Sequence, residues 1–178
     1  FIAPVAGIWK IIVYGSGTTN QIKRYNSWLP VKNFVKNDTY FLQPNPYTTI
    51  VSPGNSIDAI TFAGYNHYNG SLYVESSRGY TSDDNIKPDL VAPAVNIYGP
   101  GLRGNYVRRT GTSVAASHGA GVAALLLEWA RENVARAITG KQVSAYMIRG
   151  AERMEDLQYP NRLWGDLESS MYMIYLQC

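Results

Sequence analysis

The hydrophobic pattern changes along the chain, beginning with clusters of aromatic and β-branched residues. Residues 7–14 (GIWKIIVY) are typical of a β-strand that ends at the following Gly-Ser-Gly turn. A second extended piece at residues 25–29 (YNSWL) stops at Pro30. The Gln-Pro-Asn-Pro stretch that begins at Gln43 suits neither a helix nor a central strand. We therefore predict an all-β opening and a domain boundary at residues 44–48.

Beyond this boundary, compact apolar runs alternate with turns. Residues 57–63 (IDAITFA) predict a buried parallel strand, because the run is short and continuous and is bounded by turn residues. Asn69-Gly70 predicts a hairpin-type turn. A second short apolar segment at residues 89–93 (DLVAP) precedes the glycine-rich Gly-Pro-Gly at residues 99–101. This part of the chain is predicted to be α/β.

Two helices follow. Residues 112–133 contain no proline and combine leucines and a tryptophan with alanine and glycine, which predicts one long helix. Gly119 and Gly121 each cost a helix about 1 kcal/mol relative to alanine, so we expect close packing to compensate and the helix to be buried inside a domain. A second helix is predicted at residues 141–149, ending at Gly150.

Composition narrows the class of protein. The chain has 178 residues, of which 46% are hydrophobic and 16% charged, as expected of a soluble globular domain. Its net charge of +3 comes from scattered residues, which indicates a solvated surface and not a nucleic-acid interface. The single cysteine, Cys178, excludes an internal disulfide. No apolar run reaches the roughly 20 residues needed to span a bilayer, so we predict neither a nucleic-acid nor a membrane partner.

The beginning of the chain resembles neither a translation start nor a signal peptide. Phe1 stands where an initiator methionine would be, and the first residues lack a basic segment. We interpret Phe1 as a position inside a longer chain.

Candidate chemistry is concentrated at residues 111–121 (GTSVAASHGAG), where Ser113 opens the long helix of small residues. Unpaired N–H groups and the positive end of the dipole at a helix N-terminus can stabilise a developing oxyanion. The alternative is structural: Thr112 or Ser113 is an N-cap, a role worth about 1 kcal/mol. For Gly-Thr-Ser taken alone, the cap is the preferred interpretation.

The wider context favours the catalytic interpretation. Residues 111–121 resemble the serine motif of the subtilisin family, Gly-Thr-Ser-Met-Ala-x-Pro-His-Val-Ala-Gly, and residues 87–93 (KPDLVAP) resemble the family's Lys-Pro-Asp segment. Residues 53–66 are similar to the strand that follows the family's substrate-binding region. The resemblance covers residues 44–165. It implies an α/β fold, the C-terminal half of a subtilisin-like parallel sheet with helices on both faces.

Within that family the chain resembles the Csp germination proteases of clostridial spores, which carry a β jelly-roll insert. The similarity rests on residues 7–9 and 28–30, on 44–49 (PNPYTT), and on 128–129 and 148–151 near the end. It implies that residues 1–43 are the last strands of such an insert and that residues 44–178 are the C-terminal half of the catalytic domain. It also suggests a bacterial protein that is spore-associated or secreted.

The resemblance assigns Ser113 as the nucleophile of a serine endopeptidase, with its own backbone N–H as one oxyanion donor. The family's Asp-Ser/Thr-Gly, His-Gly-Thr-His and Ala-Gly-Asn motifs do not occur in this sequence. The expected partners are therefore a peptide or protein substrate and a missing N-terminal half that carries the triad aspartate and histidine. No cofactor is implied.

Neither histidine of this chain is expected to replace the missing base. His118 follows Ser113 by five residues on the same helix, which turns its side chain about 140° away from the hydroxyl. We predict a packed or hydrogen-bonded structural role for it. His67 lies in a polar turn and is expected to be a surface residue.

Three positions depart from the family pattern: Ser117 replaces proline, Gly119 replaces valine, and Ala94 replaces the glycine that usually follows Pro93. Loss of the proline could shift the nucleophile, and a misplacement of about 1 Å can lower a rate roughly 100-fold. The alternative function is therefore a pseudoprotease that acts as a binding or regulatory partner, because the Csp group includes inactive members.

Other motifs are expected to be incidental. Residues 99–104 match the dinucleotide pattern G-x-G-x-x-G, but the residues that follow look extended instead of helical, so a surface loop is predicted. Asp83-Asp84 lacks further spaced oxygen ligands and is interpreted as a solvated turn. Half a sheet leaves an open edge, so we expect this segment alone to be poorly soluble or to self-associate unless the missing half is supplied.

Overall fold

The computed structural model describes residues 5–15, 25–30, 34–133, 137–151, 158 and 161–164. The chain divides into two compact units, Phe1–Leu42 and Gln43–Cys178. The assignment of residues 1–43 to the end of a β insert stays a prediction.

The described parts of the first unit contain no β-strand, so the strand predicted at residues 7–14 and the extended piece at 25–29 are not formed as paired strands. Most of their large apolar side chains are exposed; Ile8, for example, is 85% exposed. A strand is stabilised by hydrogen bonds to a neighbouring strand, and the described residues place no such neighbour beside these segments. The apolar pattern therefore predicted two strands for which the described residues provide no neighbouring strand.

The second unit contains a two-stranded parallel sheet formed by β1 (Phe62–Tyr65) and β2 (Leu90–Pro93), with Phe62 aligned to Leu90. This confirms the predicted parallel α/β arrangement, but β1 begins later than the predicted residue 57. Ile57 is 71% exposed, and residues 56–59 form a turn closed by the Ala59 N–H donating to the Ser56 carbonyl. The apolar run in the sequence therefore begins several residues before the first hydrogen-bonded residue of β1.

A largely buried ion pair joins the segments that lead into the two strands. The Lys87 ammonium donates to the Asp89 carboxylate at 2.7 Å and to the Ala59 carbonyl at 2.6 Å. The same carboxylate oxygen accepts the Thr61 N–H at 2.6 Å. Charges withdrawn from water need partners of this kind, so the Lys-Pro-Asp motif fixes the start of β1 against β2.

An antiparallel hairpin follows, made of β3 (Ile97–Pro100) and β4 (Tyr106–Arg109). Its tip includes a 3₁₀ turn at Leu102–Gly104. The predicted loop is confirmed at the tip of the hairpin, whereas Gly99 and Pro100 belong to β3, and the G-x-G-x-x-G segment leads into another strand instead of opening a helix.

The long helix α1 (Thr112–Asn133) has the predicted bounds. Its buried residues are Ala115, Gly119 and Ala130, whereas Leu125 is 61% exposed. In this chain one face of the helix lies on the sheet and the other is exposed, and the expectation that the helix is buried inside a domain stays a prediction for the outward face.

The second helix, α2 (Gly140–Gly150), also agrees with its prediction to within one residue at each end. It begins with a capping box in which the Thr139 side chain and backbone are each hydrogen-bonded to Gln142. This pairing satisfies N–H groups that the first helical turn leaves without partners. Val143 and Met147, one turn apart, are its buried residues.

The parallel sheet is covered on both faces, in different ways. Leu90 packs against Val143 and Met147 of α2 and against partly buried residues of α1. On the opposite face, Val91 lies in a cluster with Tyr65 and Trp164. Within the described residues both helices pack on the Leu90 face. None of the described helices is both long and apolar enough to cross a membrane.

Candidate functional site

Ser113 lies in the first turn of α1, where its side chain is exposed. Within the described residues, neither its hydroxyl nor that of Thr112 donates to or accepts a hydrogen bond, so the N-cap interpretation finds no capping contact. The backbone N–H of Ser113 also lacks an acceptor there, as expected at the start of a helix. Ser113 thus presents a free hydroxyl beside a free N–H donor.

The backbone immediately before α1 holds this turn in place. Gly111 has φ 151°, a conformation that side chains disfavour, although a Cβ at this position would meet no atom within 4 Å. Glycine is therefore required here by backbone conformation and not by space. Its N–H donates to the Ala94 carbonyl at 2.8 Å, and the Ala94 N–H donates to the Tyr65 carbonyl at 2.9 Å. These bonds tie the helix start to the ends of β2 and β1.

Close packing reinforces the same junction. A Cβ on Gly64 would lie 2.5 Å from the Ala94 Cβ and 3.5 Å from the Thr112 Cγ2. Ala92, Ala94 and Ala115 form a fully buried cluster of small side chains between the sheet and α1. The N-terminus of α1 therefore lies at the carboxyl edge of the parallel strands, the edge where open α/β sheets place their ligands.

The two glycines of α1 differ in how closely they are packed. A side chain at Gly119 would overlap the Phe62 ring, which confirms that close packing compensates its low helix propensity. At Gly121 an added Cβ would meet no atom within 4 Å, so the same prediction is wrong there. The difference is one of direction, since Gly119 faces β1 and Gly121 is exposed.

Ser117, at the position of the family's proline, uses its hydroxyl within the helix. Its Oγ donates to the carbonyl of Ser113 at 2.9 Å, a bond from residue i to residue i−4. Such bonds are compatible with a helix and tend to bend it slightly. The departure from the family pattern is therefore accommodated in a regular helical turn.

The histidines have the surroundings expected of structural and surface residues. The Nδ1 of His118 lies 3.0 Å from the Val114 carbonyl, which can only accept, so Nδ1 carries the proton. His67 is exposed, with its ring centroid 4.0 Å from that of Tyr68. Neither imidazole is hydrogen-bonded to Ser113 within the described residues. A base for this serine is not provided by these two side chains in their present positions.

One tyrosine beside the site has a perturbed acidity. Tyr73 packs against the Ala92–Ala94–Ala115 cluster, and its hydroxyl donates to the Glu75 carboxylate at 2.6 Å. That hydrogen bond, with smaller contributions from burial and from the negative charge of Glu75, raises the pKa of Tyr73 above its ordinary value. The interaction favours the neutral phenol at the edge of the buried cluster.

No metal site is suggested by the arrangement of acidic side chains. Within the described ranges, no three histidine, cysteine, aspartate or glutamate side chains converge on one point. Asp83 and Asp84 are exposed, and the Asp84 N–H donates to the Thr81 carbonyl in a turn.

Comparison with known proteins agrees with this geometry. The model of the subtilase family, Peptidase_S8, matches residues 32–165, which is most of the chain. The chain belongs to the subtilase family. The resemblance in the serine and Lys-Pro-Asp motifs is thereby confirmed.

The chain is also similar to individual subtilases, over shorter parts of its length. The structure of the CspB protease of Clostridium perfringens matches with a TM-score of 0.67 and 36% identity, covering 71% of this chain and 28% of CspB. The major intracellular serine protease of Bacillus subtilis is 36% identical over 80 residues, covering 45% of this chain and 25% of that protein. The C5a peptidase of Streptococcus pyogenes is 33% identical over 98 residues. The chain thus spans about a quarter of the length of CspB and of the Bacillus relative.

The similarity to CspB confirms the resemblance to Csp-type proteases. The structure adds three positions that motif reading did not single out as determinants of the site: Gly64, Ala94 and Gly111. Gly111 had a sequence signal, a glycine directly before a helix start. The roles of Gly64 and of the Ala94 carbonyl depend on contacts between segments distant in sequence.

Proposed function

We propose that this chain supplies the nucleophile of a serine endopeptidase, and that Ser113 forms the acyl-enzyme. The observation that carries the proposal is the exposed Ser113 hydroxyl next to its own N–H at the start of α1, neither of which has a hydrogen-bond partner among the described residues. Membership of the subtilase family supports it, since a serine in this motif is the nucleophile in that family.

The first chemical step is attack of Ser113 Oγ on the scissile carbonyl carbon, while a base removes the hydroxyl proton. The carbonyl oxygen becomes an oxyanion, which the Ser113 N–H and the positive end of the α1 dipole stabilise. Collapse of the tetrahedral intermediate breaks the C–N bond, and the amine leaves with the proton held by the base. Water then hydrolyses the acyl-serine and restores the hydroxyl.

The base and its aspartate partner are proposed to come from a segment N-terminal to Phe1, together with a second oxyanion donor. His118 is unsuited to the role, because it follows Ser113 by five residues on the same helix, which turns its side chain about 140° away from the hydroxyl. The exposed apolar face of α1 is consistent with this arrangement, since an additional half-domain packed there would bury it. The proposed partners are thus that half-domain and a peptide or protein substrate.

The second candidate function is a pseudoprotease that binds its partner without cleaving it. Ser117 in place of the family's proline favours it, since the Ser117 hydroxyl replaces a rigid ring by a hydrogen bond to the Ser113 carbonyl. Against it, α1 begins at the expected residue and Gly111 retains its bonded position. We therefore favour the enzyme.

A fluorophosphonate probe applied to the native full-length protein tests the proposal. We expect covalent labelling at Ser113, identified by mass spectrometry of the labelled peptide, and none in Ser113→Ala. Hydrolysis of a casein or peptide substrate should fall on the order of 10⁶-fold in kcat in the same variant. Ser117→Ala is the matched control, because it removes a neighbouring hydroxyl and leaves the nucleophile. Absence of labelling in folded full-length protein would instead support the pseudoprotease.

A further inference from the structure

The charged residues that precede Ser113 in the sequence all have the same sign from residue 90 onward. No aspartate or glutamate occurs between Leu90 and Leu127, whereas this stretch contains Arg103, Arg108 and Arg109. All three arginines lie on the hairpin formed by β3 and β4, which runs directly into the helix that carries Ser113. The sequence immediately before the nucleophile is therefore cationic.

The two adjacent arginines occupy different surroundings. Arg108 is held by its guanidinium, which donates to the Tyr68 hydroxyl and to the Asn96 carbonyl, each at 3.2 Å, and lies 5.6 Å from the centroid of the Tyr98 ring. Arg109 is exposed, and within the described residues no carboxylate pairs with it. Arg108 fixes the hairpin, and Arg109 presents an uncompensated positive charge.

The hairpin is joined firmly to the helix start. Ile97 pairs with Arg109 at the end of the ladder, and the Asn96 N–H then donates to the Thr110 Oγ1 at 2.9 Å. Gly111 continues the connection through its bond to the Ala94 carbonyl. The Cα atoms of Arg109 and Ser113 are four residues apart, so they lie within about 14 Å of each other.

A peptide acylated at Ser113 is extended, with about 3.3 Å per residue. Side chains within about four residues of its scissile bond therefore lie at distances from Ser113 that are comparable with the separation between Ser113 and Arg109. An exposed arginine without a partner attracts carboxylates most strongly at low ionic strength. The arginine guanidinium can also bind both oxygens of a carboxylate at once, a bidentate geometry that the side-chain amide of asparagine or glutamine does not match.

We propose that Arg109 is a specificity-determining residue that selects substrates with an aspartate or glutamate within four residues of the scissile bond. This inference rests on the proposed function and names its substrate class. Tyr98 and Tyr106, whose rings stack with centroids 5.3 Å apart, lie on the hairpin face that carries Arg108 and stiffen the segment that presents Arg109.

The test is cleavage profiling of the full-length protein with a peptide library, followed by kinetics on matched peptides. Pairs that differ only by Glu against Gln, or Asp against Asn, near the cleaved bond should differ about 3- to 10-fold in kcat/KM in favour of the acid at low salt. The preference should shrink in 0.5 M NaCl, because salt screens an exposed ion pair.

Variants assign the preference to a residue. Arg109→Gln should bring the acid-to-amide ratio of kcat/KM close to one, and Arg109→Glu should invert it. Arg131→Gln is the charge-matched control, because Arg131 is also exposed but lies in the last turn of α1. It should leave the ratio as in the wild type.

The outcomes separate the two proposals. Cleavage with no preference for acidic peptides, or a preference that persists in Arg109→Glu, overturns this inference and leaves the proposed function standing. Failure to cleave any library peptide, together with no fluorophosphonate labelling of Ser113, overturns the proposed function and this inference with it.

Discussion

The two faces of α1 differ although their compositions are alike. The inward face places Ala115 and Gly119 against the sheet, with the Phe62 ring in van der Waals contact with the helix backbone at Gly119. The outward face carries Gly121, Leu125 and Trp129, and all three are exposed. Small and apolar residues on both faces indicate a helix that belongs inside a larger domain, and this chain covers one face of it.

The strongest test of the comparison is Leu125→Ala on the outward face. In full-length protein we expect the free energy of unfolding to fall by about 2 to 5 kcal/mol, because a further half-domain would bury this leucine. Urea unfolding followed by circular dichroism measures it. A change within about 0.5 kcal/mol would show that the face stays exposed, and would contradict the proposed additional half-domain.

The two glycines provide a matched pair on one helix. Gly119→Ala should lower the free energy of unfolding by about 1 to 3 kcal/mol, since the new methyl overlaps the Phe62 ring and the core must shift.

Gly121→Ala is the counterpart and should have the opposite sign. In this chain without the proposed half-domain, no atom lies within 4 Å of the added Cβ, so the variant should raise the stability by about 0.5 to 1 kcal/mol through helix propensity alone. Thermal unfolding of both variants measures the difference. Equal shifts in the two would show that the faces are not distinct; destabilisation by Gly121→Ala alone would place a covering segment over that position.

The smallest change in the free energy of unfolding is expected from a substitution at the edge of the inward face, where the Tyr73 hydroxyl donates to the Glu75 carboxylate. Because the pKa of Tyr73 is raised in the folded state, its contribution to stability is complete below the ordinary value of 10.0 and is lost as the pH rises through the folded-state pKa. Tyr73→Phe should therefore reduce stability near neutral pH by less than about 1 kcal/mol and flatten the decline above pH 10. Urea midpoints at pH 8 and above pH 10 measure this, and a parallel decline in wild type and variant would contradict it.

Much of the fold could be predicted from local patterns in the sequence. The absence of proline and the run of small and apolar residues placed both ends of α1, and Gly150 marked the end of α2. The start of β1 was misplaced because Ile57 is apolar but exposed, and residues 7–14 were misread because a strand needs a partner that a sequence pattern does not reveal.

The candidate site was predictable in part. A serine in a Gly-Thr-Ser motif at the start of a helix of small residues pointed to Ser113, whereas the unusual backbone at Gly111 was found only in the structure. The carbonyl of Ala94 and the space left by Gly64 have no local signature, because each matters through an atom contributed by another segment.

The sequence by itself determined that residues 112–133 form a helix, that a serine opens it, and that the chain resembles subtilases, because these depend on neighbouring residues and on motif spacing. The tertiary structure decided which side of that helix is buried, that Gly119 and not Gly121 is closely packed, and that the helix start lies at the carboxyl edge of β1 and β2. It also left Arg109 exposed four residues before Ser113. The physical reason is that packing, hydrogen bonding and charge compensation join residues far apart in the chain, and no local pattern specifies which segments meet.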